Sequence, residues 1–269
     1  VVRDEILERL GLPSTTPQQL RGFARPNLAF HVLETQTKPQ RIAGIDQLLA
    51  ESLGAPGSAR GTAIIYSPTR KATEEEAQRL SEAGWNAAPY HAGMDPDRRQ
   101  SVQTTFAAGQ QEVVVATNAF GMGIDRADVR CIGHLGPPGS VEAYYQEAGR
   151  AGRDGEPATC LLLVSPGDMP LRRRLIERDV EGRSPAPETI EHRWNLFLEL
   201  MRYAEGGACR HDAILRYFGD EEETLSGCGR CDNCLRLEDD DEADAVQIAE
   251  IVRKALCGAA RIHGRLDRK

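Results

Sequence analysis

No stretch of these 269 residues approaches the roughly 20 consecutive apolar positions that a helical membrane span requires. A targeting leader is not evident: the chain opens Val1-Val2-Arg3-Asp4-Glu5, charged at once and without Met, which sets the expectation of a fragment or processed product. Cysteines number seven, too few for a disulfide scaffold, and four of them fall within 26 positions. That clustering suits metal binding in a reducing compartment. An overall basic excess is also missing. The net charge is −8, which excludes a chain that holds nucleic acid by its average charge and leaves only local fields to do so. Residues 238–244 carry six of the acids and no base; without them the remainder carries −2. Basic residues gather at Arg172-Arg173-Arg174 and in the tail (Arg253, Lys254, Arg261, Arg265, Arg268, Lys269), each run readable as a solvated surface.

What is present alternates. Residues 1–12 read as a short amphipathic helix and 13–27 as a Pro- and Thr-rich linker. Short apolar runs at 28–33, 62–66, 87–90, 112–116, 129–133 and 158–164 read as strands. Between them lie helical patterns at 38–53, 70–83, 95–109 and 140–151, with Asp95-Pro96 and Ser140 as start signals. Strands separated by helices predict an α/β domain over roughly 25–168, a parallel sheet covered on both faces. Past Pro166-Gly167 the pattern turns helical, at 169–181, 187–205 and 209–218. The stretch 238–242 reads as an acidic linker and 244–257 as an amphipathic helix. Cys131, Cys160 and Cys257 sit in apolar runs and are expected in the core.

Cys209, Cys228, Cys231 and Cys234 match a four-sulfur tetrahedral zinc site, structural and without an open position. Gly227 and Gly229 let the loop curl, Asp232-Asn233 suits a turn, and Cys209 comes from the preceding helical layer. A redox pair, unligated thiols and an iron–sulfur cluster are the alternatives. His211 could replace Cys209 but reads better as a surface helical residue.

Gln146-Glu147-Ala148-Gly149-Arg150-Ala151-Gly152-Arg153 reads as helical. Arg150 and Arg153, three apart, would leave one face, either to meet a phosphate or as a solvated pair. The run Ala116-Thr117-Asn118-Ala119-Phe120-Gly121-Met122-Gly123-Ile124-Asp125 follows a strand directly, where open α/β sheets collect ligands. Thr117 offers a hydroxyl to a nucleic-acid phosphate, Gly121 and Gly123 allow close approach, and Asp125 could accept from a ribose hydroxyl. A plain glycine-rich connection is the bland reading. Ser67 and Arg70 after one strand, and His91 after another, open on the same edge and could line a backbone groove; each could also be a capped turn.

In this order the segments resemble the second RecA-like domain of superfamily 2 helicases and, more narrowly, the RecQ DNA helicase family. The runs Phe120-Gly121-Met122-Gly123-Ile124 and Gly149-Arg150-Ala151-Gly152-Arg153-Asp154-Gly155 and the trailing four cysteines narrow it. The resemblance covers nearly the whole chain. It implies that Arg153, with Arg150 and Gln146, reads the ATP γ-phosphate, and that Gly123 and Asp125 lie at the nucleotide. It further implies that Ser67, Arg70, His91 and Thr117 track single-stranded DNA, and that Cys209, Cys228, Cys231 and Cys234 hold Zn²⁺. The implied organisation is the tail of a first RecA-like domain at 1–24, the second at 25–168, a helical zinc-binding domain at 169–237, and at 238–269 an acidic linker with the first helix of a winged-helix domain that binds duplex DNA. The implied activity is ATP-dependent 3′–5′ DNA unwinding in recombination and repair, with ATP and Mg²⁺ as cofactors and a cytoplasmic, nucleoid-associated location.

Two features depart from the family. The segment Gly136-Pro137-Pro138-Gly139-Ser140 lacks the basic residue usual after its proline, and no Gly-x-x-x-x-Gly-Lys-[Ser/Thr] occurs in the chain. A first RecA-like domain would therefore be a partner from outside these residues, and the chain alone is expected to be inactive. Asp241-Glu242-Ala243-Asp244 spells a helicase hydrolysis tetrad but follows no buried strand, so it reads as linker and helix cap. A non-catalytic zinc-containing DNA-binding or interaction module built on a motor scaffold is the alternative function. An RNA helicase half shares the motor motifs but leaves the cysteines unexplained.

Overall fold

The computed structural model describes residues 7–13, 15–16, 22–121, 126–178, 185–220 and 222–240, with side chains to 237. The expected winged-helix start at 244–257, Cys257, Gly123, Asp125 and the 241–244 tetrad lie outside the described residues.

Six strands form one parallel sheet: β1 (Leu28–Glu34), β2 (Thr62–Tyr66), β3 (Ala87–Tyr90), β4 (Val113–Ala116), β5 (Val129–His134) and β6 (Ala158–Val164), in the order β1-β6-β5-β2-β4-β3. Four helices link them: α1 (Lys38–Leu53), α2 (Arg70–Glu82), α3 (Pro96–Ala107) and α4 (Val141–Ala148). Their starts are chemically marked. Thr37 and Gln40 form a reciprocal capping box on α1, and the hydroxyls of Thr69 and Ser140 accept from Ala72 N and Ala143 N at 3.2 Å. Pro89 sits in β3 at the sheet's edge, where its missing N–H costs least.

Connections that run one way across a parallel sheet put their helices on one face, because crossovers are right-handed. The steps β1→β2→β3 accordingly bury Ile45, Leu49 and Leu80 of α1 and α2 against Ile65, Val115 and Leu163. The return steps bury Phe106 of α3 and Tyr144 of α4 against Ile64, Val114, Ile132 and Leu162. Between β2 and β5 the chain parts to opposite faces, which opens a crevice at their carboxyl ends.

Helices α5 (Asp168–Glu177), α6 (Pro187–Glu205), α7 (Arg210–Tyr217) and α8 (Asp232–Asp240) complete the fold. Phe197, Leu200, Tyr203 and Ile214 belong to the same buried cluster as Phe30 and Leu162, so the helical platform shares the core of the sheet. Two expectations change. The cysteine loop does not run unbroken into an acidic linker: Asp232 and Asn233 open α8, a helix that contains Cys234, Asp239 and Asp240. In addition, α4 stops at Ala148 rather than at 151, because Gly149 caps it and Gly152 (φ +54) takes a left-handed conformation.

Candidate functional site

The carboxyl edge brings several expected residues together. Backbone hydrogen bonds stitch the strand ends: Ser67 N donates to Ala116 O at 2.7 Å, Thr117 N to Tyr90 O at 3.1 Å, and Leu135 N to Tyr66 O at 2.9 Å. Ser67 and Thr117 thereby line one crevice of about 240 Å³, together with Asn118, Pro137, Gly139 and Arg172. Exposed Arg70 does not line this crevice; it lies over Gly93, where a Cβ would sit 2.8 Å from Nη1. His91 does not share that cleft. Its ring is buried and Nε2 meets Glu74 Oε1 of α2 at 3.0 Å. Arg172 sets apart the first member of the Arg172–Arg174 run. Read from sequence as solvated surface, it is half-buried in the crevice wall, and only Arg173 and Arg174 are exposed.

The arginine turn is built differently from the expected shared helical face. Arg150 and Arg153 follow the end of α4 and occupy a turn at the amino ends of the strands, where Gly152 N donates to Val129 O at 2.9 Å. Arg25, just before β1, clamps the turn by donating to Gly149 O (2.9 Å), Ala151 O (2.8 Å) and Gly152 O (3.0 Å). Arg150 is half-buried and Nη1 donates to Gly121 O at 2.6 Å. A Cβ on Gly121 would lie 2.6 Å from Arg150 Nη2, so that position admits only glycine without a shift. Arg153 and Gln146 are exposed. The contact ties the arginine turn to the loop that begins at Thr117, joining two motifs that stand 29 positions apart.

The four cysteine sulfurs lie within 4.8 Å of one another. A tetrahedral ion with metal–sulfur bonds of about 2.3 Å spaces its ligands about 3.8 Å apart, so the cluster matches zinc with small adjustment. Cys209 caps α7, Cys228 comes from the loop, Cys231 immediately precedes α8 and Cys234 lies in its first turn. Gly227 and Gly229, with φ of +101° and +64°, give the loop its curl. Main-chain N–H groups aim at sulfur: Cys228 N at Cys209 Sγ (3.3 Å), and Arg210 N and Cys234 N at Cys231 Sγ (3.4 Å each). Burial pushes the Cys228 thiol up to about 12 and raises Cys234. Burial also opposes ionisation of Cys231, but the amides of Arg210 and Cys234 hold it below the usual range. A metal ion binds such sulfurs as thiolates, so its binding releases their protons.

Charged side chains brace the cluster, and the sequence reading missed them. Arg210 grips Asp232 through two bonds of 2.9 Å, and its Nη1 reaches Tyr203 O, Ala204 O and Gly206 O at the end of α6 (2.5–3.1 Å). The Asp212 carboxylate accepts from Leu225 N at 2.7 Å and Gly227 N at 2.9 Å. The available signal was adjacency, since Arg210 and Asp232 each directly follow a cysteine ligand. His211 is not a surface residue. It is 1% exposed and packs edge-on to Phe30 with ring centroids 5.0 Å apart, outside the ligand set.

The fold and the arginine turn define a class, and residues 44–155 match the family described as helicase conserved C-terminal domain. Residues 166–235 match the RecQ zinc-binding family. The ATP-dependent DNA helicase RecQ of Bacillus subtilis is 35% identical over 87% of this chain and 36% of its own length. The protein of that name from Haemophilus influenzae is 37% identical, over 87% of this chain and 35% of its length. The RecQ-like DNA helicase BLM of Xenopus laevis is 36% identical over 98% of this chain and 19% of its length. The chain belongs to the RecQ family, and spans about a third of the length of the first two relatives.

Proposed function

We propose that these residues form the second motor lobe and zinc platform of an ATP-dependent 3′–5′ DNA helicase acting in recombination and repair. The observation that carries this reading is the contact of Arg150 Nη1 with Gly121 O at 2.6 Å. It couples the arginine turn to the loop whose first residue, Thr117, lines the carboxyl-edge crevice. One segment thus touches both places where a motor must act, nucleotide and strand. Arg150 is held in place and Arg153 extends from a clamped turn, as a γ-phosphate sensor supplied to another lobe requires. Ser67, Thr117 and Arg70 offer two hydroxyls and a cation to successive phosphates of a single strand. His91 supports this edge from behind, through Glu74. ATP would supply the free energy of closure when bound, and Gln146 would contribute to its surroundings. The four cysteines would join the start of α7, the loop and α8 around one ion, while Arg210 ties that module to the end of α6.

The encoding frame upstream of Val1 tests the reading. A Walker-type loop is expected there, and the longer product should hydrolyse ATP when DNA is added. In that product Arg153→Ala is expected to lower turnover about 10³-fold or more while single-strand affinity stays within about twofold. Unchanged turnover would overturn the assignment, as would DNA-stimulated ATPase activity from the 269 residues alone.

A further inference from the structure

The rim of the crevice, Gly136-Pro137-Pro138-Gly139-Ser140, carries no basic side chain of its own. A cation reaches it from another element. Arg172 of α5 donates from Nη2 to Pro137 O at 2.9 Å. A Cβ on Gly139 would lie 3.8–4.0 Å from Nη1, Nη2 and Cζ, so the guanidinium stands within van der Waals reach of position 139. Cζ also stands 5.3 Å from the Phe197 ring centroid, and the side chain is fixed between rim and helix.

Arg172 and Gly139 line two clefts at once. One is the 240 Å³ crevice with Ser67 and Thr117; the other, of about 320 Å³, passes Ser140, Ile176 and Arg193. The clefts therefore meet at one guanidinium. The nearby acids are already engaged: Glu147 Oε2 meets His134 Nε2 at 2.8 Å, and Asp168 Oδ1 meets Arg41 Nη2 at 2.6 Å. Pro137 O is the hydrogen-bond acceptor that Arg172 meets among the described residues, which leaves further N–H donors of its fork for a ligand.

We propose that Arg172 binds a backbone phosphate of single-stranded DNA where the strand crosses from the Ser67–Thr117 crevice over Pro137 and Gly139 toward Arg193. This rests on the helicase reading above. A planar guanidinium takes a phosphate through two parallel bonds, and one already immobilised loses little freedom in doing so. The local positive charge is thus carried by α5 rather than by the rim.

Fluorescence anisotropy with a labelled oligo-dT, across a salt series, tests this on the present chain. Arg172→Gln is expected to weaken binding about 5- to 30-fold and to reduce the slope of log K against log salt by about 0.7, one phosphate's share for a single strand. Lost packing on Phe197 would not change that slope. The double variant Arg172→Leu with Gly139→Arg returns the cation to the rim and is expected to restore affinity and slope. Parent-like affinity and slope in Arg172→Gln would overturn the proposal. So would a double variant that melts like the parent and fails to recover. Ser67→Ala with Thr117→Val separates the two levels. If that pair weakens binding and Arg172→Gln does not, only the Arg172 contact fails; if neither matters, the strand path along this edge falls, and the Arg172 contact with it.

Discussion

Strands β5 and β6 bury Cys131, Ile132, Leu161, Leu162 and Leu163 almost completely, with helices on both faces. Between 206 and 237 the buried apolar set shrinks to Ile214, Leu215, Cys231 and Cys234, while Arg210, His211, Asp212 and Asn233 are buried beside them. The sheet is held by apolar area and needs no ligand. The cysteine module is held by directed contacts among charges, amides and sulfur, and those need an ion at their centre. The difference teaches that one continuous core can join two parts that fail for unrelated reasons.

Removing the metal should separate them most sharply. Structural zinc contributes on the order of 10 kcal/mol in small modules. Chelation is therefore expected to expose amides across 206–237 to hydrogen exchange while β2, β5 and β6 stay protected. Equal deprotection of both would break the comparison and show that the shared packing of Phe197 and Ile214 transmits the loss.

Arg210→Ala comes next. It leaves Asp232 without its arginine and the Tyr203 and Ala204 carbonyls at the end of α6 without that donor, while Gly206 O keeps Asn233 Nδ2, and is expected to cost about 3–5 kcal/mol in urea denaturation. Zinc affinity should fall with it, because the guanidinium also fixes Asp232, the residue next to the ligand Cys231. A stable variant with parent zinc affinity would mean that sulfur alone organises the module. Leu162→Ala, at the sheet centre, should cost about 2–5 kcal/mol by leaving a cavity, and should leave zinc content unchanged.

The smallest expected effect is alkaline. Burial pushes the Cys131 thiol up to about 12 and raises Cys160 as well. In the unfolded chain these thiols ionise near pH 8.5, so above that pH the unfolded state releases protons that the folded state keeps. This contribution is full below about pH 8.5 and is lost as pH rises toward 12, on the order of 2 kcal/mol from Cys131 by pH 10. The urea midpoint of the sheet should fall between pH 8 and pH 10, and Cys131→Val should flatten the trend.

Much of this was legible in the residues. Helix α1 spans Lys38–Leu53 and α6 runs from Pro187 to the residue before Gly206, as the patterns at 38–53 and 187–205 predict. The apolar runs appear as the strands expected of a parallel sheet. Three misreadings share a cause, in that local patterns do not fix tertiary surroundings. Cys231-x-x-Cys234 suits a turn and a helix start equally, and the i, i+3 spacing took the helix. Gly149 ended α4 although Arg150 and Arg153 kept helical spacing. His211 looked polar enough for the surface, but it is buried in α7 with its ring against Phe30. The Arg172 contact with Pro137 O spans 35 positions and leaves no periodic trace at all.

The clamp made by Arg25 has a practical consequence for anyone shortening this protein. A version starting at Asn27 would retain all six strands and every linking helix and would pass most tests of foldedness. It would nonetheless lose the three bonds that hold the backbone around Arg150, and with them the aim of the side chains there. Domain boundaries drawn at the first strand would thus yield a sound scaffold with a slack trigger.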